Sequence, residues 1–369
     1  MVWNGSVVRN SSPRRVVGRG RVVTAVQLKG VRKDFGTFTA ISHIDLDIHS
    51  GELVALLGPS GCGKTTTLRM IAGLEVPTEG EICFDGKDVS EVAVQKRNVG
   101  MVFQRYALFP HMTVEKNVMF GLKVRGTDKA EVEERLTEIL DVVQLQQFRH
   151  RFPAQLSGGQ MQRVAIARTL ITNPSVLMMD EPLANLDTKL RGEMRRFIRE
   201  LQQRLGITTI FVTHDQIEAM ELADRVAVIF DGNLAQYDAP DTLYKRPNSI
   251  EIAEFMGATN VFEATISGTT ATAAFGNLTL DDQGCDGAGH VMLRGEAIDL
   301  HLEAVSGEAN IIQGTIAARE FFGANITYSV DCGGETIQVI EQSRRMVDIG
   351  QPVWLTIPPG RIWIIQDNP

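Results

Sequence analysis

Cysteine is scarce: the 369 residues hold four. Cys62, Cys83, Cys285 and Cys332 are scattered without metal-type spacing. That excludes a disulfide framework and points to a reducing, cytoplasmic setting. A long apolar run is also missing. Nothing approaches the roughly 18 residues needed to span a bilayer, so the chain is not expected to cross a membrane by itself. Basic residues are in deficit, with 37 Lys and Arg against 45 Asp and Glu for a net charge of −8. This argues against a whole-chain nucleic-acid binder, though a local basic patch stays open. Short-period repeats and long low-complexity segments are absent. At about 150 residues per domain the length allows two or three, each with a sizeable core.

The first 33 residues run against the overall charge. They carry Arg9, Arg14, Arg15, Arg19, Arg21, Lys29, Arg32 and Lys33, and no acid. The apolar core of a secretory leader is absent, so the expectation is a solvated tail. Attraction to anionic lipid head groups is the functional alternative.

Residues 24 to 240 alternate short apolar runs with helical patterns, the texture of an α/β sheet protein. Leu53–Leu57, Ser175–Met179 and Thr208–Thr213 read as buried strands. Lys129–Val143 and Thr188–Leu205 each place their apolar residues on one helical face. After Pro247 the texture changes. Short strands are expected at Val261–Ile266, Val291–Leu293, Ile311–Ile316, Ile326–Val330, Thr336–Ile340, Val353–Ile357 and Ile362–Ile365. Glycine clusters such as Gly284–Gly289 and Gly333–Gly334 separate them, and the whole reads as a small all-β barrel or sandwich. The expected division is a basic tail over 1–24, an α/β domain over 25–245 and a β-rich domain over 246–369.

Gly58, Pro59, Ser60, Gly61, Cys62, Gly63, Lys64 and Thr65 match a phosphate-binding P-loop, with an apolar strand before them and a helical run, Thr66–Ala72, after them. Such glycines let the backbone curl so that successive N–H groups point at a phosphate. The new helix adds its positive N-terminal end. Lys64 suits the β- and γ-phosphates and Thr65 suits Mg²⁺, and Thr66, next in the chain, completes the expected ATP-binding set. Cys62 is expected to contribute mainly its backbone. The Asn-Lys-x-Asp motif that reads guanine does not occur, which excludes a GTPase of that type.

Val176-Leu-Met-Met179 ends in Asp180 and Glu181. Ligands of open parallel sheets bind at strand carboxyl ends, so both acids should lie beside the phosphate loop. Asp180 suits Mg²⁺ coordination, and Glu181 suits activation of the attacking water as a general base.

Leu156-Ser157-Gly158-Gly159-Gln160 separates the P-loop classes. It resembles the signature of ATP-binding cassette (ABC) ATPases. Other elements of that family stand in the family's order. Phe35-Gly36 resembles the aromatic loop that stacks on adenine. Gln104 resembles the Q-loop glutamine, which also reaches the metal. Ala184-Asn-Leu-Asp187 resembles the D-loop, and His214 the switch histidine. The resemblance implies an α/β P-loop NTPase with a helical subdomain at about 105–170, and ATP and Mg²⁺ as cofactors. It further implies a head-to-tail homodimer in which Ser157, Gly158, Gly159 and Gln160 meet the nucleotide held by the partner's P-loop residues. In this family the segment after the Q-loop, here with Tyr106, Leu108, Phe109 and Met112, receives the membrane permease.

Leu293-Arg-Gly-Glu296 and Phe321-Phe-Gly-Ala-Asn-Ile-Thr-Tyr328 resemble the transport-associated OB-type (TOBE) domain, with Gly295 in place of the usual proline. With Tyr106-Ala-Leu-Phe-Pro-His111 they imply the ATPase subunit of a bacterial solute importer at the cytoplasmic face of the plasma membrane. Its partners would be permease subunits and, through them, a solute-binding protein, with no nucleic acid. The expected solute is polyamine or ferric iron, with sugar or glycerol-phosphate as the alternative. The rival of another class is a non-transport ABC ATPase, which usually carries a coiled-coil insertion or a second cassette.

Overall fold

A computed structural model of the chain describes residues 23–282 and 286–366. The basic tail before Val23, and Cys285, lie outside the described residues. The chain divides into two compact units, Met1–Pro240 and Asp241–Pro369.

The strands of the first unit are β1 (Val26–Phe35), β2 (Phe38–Ile48), β3 (Leu53–Leu57), β4 (Glu79–Phe84), β5 (Lys87–Asp88), β6 (Val99–Val102), β7 (Val176–Asp180), β8 (Thr208–Thr213), β9 (Arg225–Phe230) and β10 (Asn233–Asp238). Its helices are α1 (Lys64–Ala72), α2 (Val114–Val124), α3 (Lys129–Val142), α4 (Gly158–Leu170), α5 (Thr188–Leu205) and α6 (Gln216–Leu222). One sheet contains all ten strands, in the order β5-β4-β1-β2-β10-β9-β3-β8-β7-β6. From β9 to β6 neighbouring strands run parallel. Their carboxyl ends therefore share one edge, where the loops bearing the motifs emerge. β3 and β8 are buried along their whole length, which explains the unbroken apolar run of Leu53–Leu57 and the apolar centre, Ile210 to Val212, of β8.

At the other end of the sheet β5, β4, β1 and β2 are antiparallel, with β1 between β2 and β4, and β10 joins β2 in parallel. This end is not foreseen from the sequence. In β2, buried Ile44, Leu46 and Ile48 alternate with less buried residues, and in β1 the ladder is broken by register shifts. Such strands produce no compact apolar run. Helix boundaries are set by caps. Asp187 accepts from Leu190 N to open α5, and Gly206 closes it in the left-handed conformation. α1 begins at Lys64, earlier than the Thr66 read from the pattern, because the helix grows directly out of the P-loop.

The second unit has α7 (Pro240–Lys245), α8 (Ile250–Phe255) and strands β11 (Asn260–Ser267), β12 (Thr270–Ala273), β13 (Gly276–Thr279), β14 (Gly287–Leu293), β15 (Asp299–His301), β16 (Ile311–Phe321), β17 (Asn325–Cys332), β18 (Glu335–Gln342), β19 (Pro352–Thr356) and β20 (Ile362–Gln366). They form two five-stranded sheets, β13-β12-β11-β14-β20 and β15-β19-β16-β17-β18, around one apolar core. Asn260 is fully buried and joins the sheets, exchanging two hydrogen bonds with the Gln338 backbone (2.7 and 2.8 Å). One expectation is corrected here. Gly284–Gly289 is not simply a separator, because Gly287–Gly289 are paired in β14 against β11. A Cβ on Gly289 would lie 3.1 Å from the Ile365 carbonyl, so the glycine permits close approach of β20 rather than a turn. In Leu293-Arg-Gly-Glu296, buried Arg294 donates to the carbonyls of Tyr244 and Met256, and the Tyr244 hydroxyl donates to Glu296 (2.7 Å).

Candidate functional site

The loop between β3 and α1 carries the P-loop sequence. Lys64 is 5% exposed, and its Nζ donates to the carbonyls of Gly58 (2.8 Å) and Pro59 (2.7 Å). The Cys62 thiol is also buried and lies 3.7 Å from Lys64 Nζ, so its side chain forms part of the loop's packing. At the second residue of the loop's helix, the Thr65 hydroxyl donates to Asp180 Oδ1 (3.1 Å), a residue at the end of β7. Burial pushes the Asp180 carboxyl up from its ordinary range, and the neighbouring Glu181 charge adds to the shift.

Glu181 is gripped from two sides. Gln104, just past β6, donates Nε2–H to Glu181 Oε2 at 3.0 Å. His214, just past β8, places Nδ1 3.3 Å from Oε1. The Glu181 backbone sits at φ 42°. For a non-glycine residue that conformation costs about 1–3 kcal/mol and is held only where the surroundings over-determine it. Its amide is tied to the Val212 carbonyl (3.1 Å). A carboxylate on a strained turn, with an amide on one oxygen and an imidazole near the other, is a suitable proton acceptor beside a phosphate cradle.

The Ala184–Asp187 segment closes this side. Asn185 Nδ2 donates to the Gln104 carbonyl (2.8 Å), linking the two loops. The Asp187 side chain is engaged as the cap of α5. Phe35 stands 45% exposed at the β1–β2 turn, with the Lys33 ammonium over its ring at 4.8 Å.

Ser157, Gly158, Gly159 and Gln160 occupy the start of α4. Ser157 Oγ caps Gln160 N, and the Gln160 side chain returns to Ser157 N (3.0 Å). Gln160 thus serves the cap. A Cβ on Gly159 would come within 2.8 Å of Leu190, so the start of α5 packs directly on the signature backbone. The arrangement is a second exposed helix N-terminus, which favours anions.

Three residues that shape the site's loops escape a motif reading. Arg168, near the end of α4, donates to the carbonyls of Ala107 (2.8 Å) and Tyr106 (3.2 Å). Fully buried Asn117 on α2 accepts from Phe109 N (2.8 Å) and donates to the carbonyls of Phe109, Met112 and Thr113. Together they shape the segment after Gln104, in which Tyr106, Leu108, Phe109 and Met112 are half-buried and Phe103 and Phe120 are exposed. The third is Asn185, quoted within a motif but without a role. A lone Arg or Asn carries no motif: the partners of Arg168 and Asn185 lie far away in sequence, and those of Asn117, though near, are backbone groups that any sequence supplies.

The family comparisons agree with this geometry. The ABC transporter model matches residues 41–184, and the TOBE domain model matches residues 291–365. The Fe(3+) ions import ATP-binding protein FbpC of Photorhabdus laumondii is 44% identical over 93% of this chain and 97% of that protein. The sulfate/thiosulfate import ATP-binding protein CysA of Brucella melitensis is 47% identical over 84% of this chain and 86% of that protein. Among solved structures, cbiO1 of Clostridium perfringens, part of the ABC transporter complex cbiONQ, is 30% identical. It covers 59% of this chain and 90% of its own, with a TM-score of 0.57. The dimeric ATP-binding cassette MJ0796, in a post-hydrolysis state with ADP and Pi, is 34% identical. It covers 58% of this chain and 98% of its own, with a TM-score of 0.52. The chain therefore belongs to the ABC transporter family: it is an ATP-binding subunit of the import type, followed by a TOBE domain, and its ATP hydrolysis is coupled to transport.

Proposed function

We propose that two copies of this chain bind ATP head to tail, each signature meeting the nucleotide held by the other's P-loop. The observation that carries this reading is Glu181 held between Gln104 and His214, on the edge where the P-loop and Asp180 also emerge. Lys64 and the loop N–H groups hold the β- and γ-phosphates, and Phe35 stacks on the base. Glu181 takes a proton from the attacking water as the water oxygen bonds to the γ-phosphorus. The bond from that phosphorus to the bridging oxygen breaks, and ADP and phosphate leave. His214 and Gln104 orient Glu181 and sense the γ-phosphate. The signature N–H groups and Ser157 add contacts that exist only in the closed dimer, so ATP favours closure and hydrolysis releases it.

The residues present fit Mg²⁺. Thr65 and Asp180 offer two oxygen donors 3.1 Å apart. No group of three or more His, Cys, Asp or Glu side chains among the described residues forms an all-protein metal cage. A pair of protein oxygens suits Mg²⁺, which keeps waters and phosphate oxygens as most of its ligands. Thr65, Asp180 and the amide oxygen of Gln104 would hold it, and it would neutralise phosphate charge when bound.

Mixed dimers test the trans arrangement. Lys64→Ala and Ser157→Arg homodimers should each fail to occlude radiolabelled ATP. An equimolar mixture should recover occlusion, since one pocket of the mixed pair keeps both Lys64 and Ser157. Failure of every mixture to do so sinks the sandwich.

No helix among the described residues is long and apolar enough to cross a membrane. The half-exposed segment from Phe103 to Phe120 is the surface assigned to separate permease subunits, which place the protein peripherally at the cytoplasmic face. A solute-binding protein acts through them. Ferric iron is the favoured solute, because relatives named for Fe(3+) import match between 86% and 93% of the chain, against 84% for those named for sulfate/thiosulfate. Cells lacking this subunit should lose ATP-dependent uptake of ⁵⁵Fe(III) and keep uptake of ³⁵S-sulfate. The opposite pattern would reassign the solute.

A further inference from the structure

Glu218 lies on α6 and is 4% exposed, yet nothing in the proposed hydrolysis uses it. Its Oε2 accepts from the Thr213 hydroxyl at 2.6 Å. Thr213 is the last residue of β8, and the same hydroxyl accepts from Asp215 N–H at 3.0 Å. Asp215 in turn caps α6, its carboxylate accepting from the amides of Ile217 (2.9 Å) and Glu218 (3.2 Å). A closed ring of bonds therefore encloses His214. The His214 side chain is itself 58% exposed, so packing does little to orient it.

A hydroxyl has one proton and a free rotor. With Glu218 taking that proton, a Thr213 lone pair is turned toward Asp215 N–H, and the backbone on both sides of His214 is held. Keeping a carboxyl at this depth carries a desolvation cost that an apolar helix residue would avoid. Burial and the Asp215 charge both push the Glu218 carboxyl up from its ordinary range, while the Thr213 hydrogen bond, Arg191 and Arg195 oppose the shift.

The geometry points to Glu218 as a positioning residue for the switch loop: its buried carboxyl fixes the Thr213 hydroxyl and, through it, the placement of His214 against Glu181. This rests on the roles given to His214 and Glu181 above.

The test is steady-state ATP hydrolysis by the full chain, with ATP affinity measured in parallel by a fluorescent ATP analogue. Misplacing a reacting group by about 1 Å can cost about 10²-fold, so Thr213→Val and Glu218→Ala should each lower kcat by about 10- to 100-fold. KM and analogue affinity should stay within about twofold of the parent, the split expected when only a transition-state interaction is lost. Thr213→Ser and Glu218→Gln keep a hydroxyl and an acceptor, and should recover most of kcat. The double variant Thr213→Val/Glu218→Ala should be no slower than the slower single, since both break one chain of bonds.

Parent-like kcat in Thr213→Val overturns the proposal, as does Thr213→Ser as slow as Thr213→Val, or multiplied losses in the double variant. If Glu218→Ala does not fold, the Val and Ser variants at Thr213 decide alone. Slow Glu181→Gln beside parent-like Thr213→Val removes only this inference. Fast Glu181→Gln removes the proposed function beneath it.

Discussion

Glu181→Gln lowers steady-state ATP hydrolysis by at least about 10²-fold, the lower range for losing a general base. The substitution is close to isosteric. The amide still meets Gln104 and His214, and the backbone keeps its φ of 42°. What is lost is the basicity of the carboxylate, since an amide oxygen does not take a proton from water. Nucleotide affinity, which the P-loop supplies, should stay near the parent's. Binding and hydrolysis then separate, and ATP accumulates in the closed state. Phosphate release measures the rate. Light scattering with and without ATP measures the dimer, which should persist with ATP and dissociate without it. Turnover near the parent's would falsify the assignment of Glu181.

Gly58→Ala is the second large effect, and its cause is steric. A Cβ there would overlap the carbonyl oxygen of Ile229 and lie 2.8 Å from Cys62 Sγ. The thiol can turn aside. The Ile229 carbonyl cannot, because β9 is paired on both sides within the sheet. The loop must move instead, and the two carbonyls that hold Lys64 Nζ move with it. Overpacking of this kind costs about 1–3 kcal/mol or more, and the displaced ammonium should weaken ATP binding as well. Gly61 is the control. Its φ is 85°, but no atom beyond its chain neighbours lies within 4 Å of a Cβ built there. Gly61→Ala should therefore cost only the left-handed penalty of about 1–2 kcal/mol. Urea unfolding and nucleotide titration of both variants check the contrast. Equal stability losses would remove the steric account.

These two residues show how legibility divides along the chain. Glu181 and Gly58 are both found by motif. The sequence shows that a carboxylate follows an apolar strand and that a glycine opens a phosphate loop. It does not show that Glu181 sits between an amide and an imidazole, or that Gly58 is pressed against β9. The strands read best are those buried on both faces. β3 and β8 are found at their full lengths, and β7 within one residue. β1, β2 and β4 bury less of their length, so no compact run reveals them. Gly287 and Gly289 mislead because a glycine that admits a neighbouring strand and one that makes a turn look alike in sequence.

By itself, then, the sequence determined which chemical groups this protein carries and in what order. The phosphate loop, the signature, the acidic pair and the lone histidine are contiguous words, with each meaning set by adjacent residues. Only the tertiary structure decided which of these groups meet. Thr65 reaches Asp180 across 115 residues, and Gln104 reaches Glu181 across 77. Such contacts depend on strand order, with β7 placed between β6 and β8 and β3 beside β8. Strand order is settled by how many separate faces bury together, a property that no local window of residues contains.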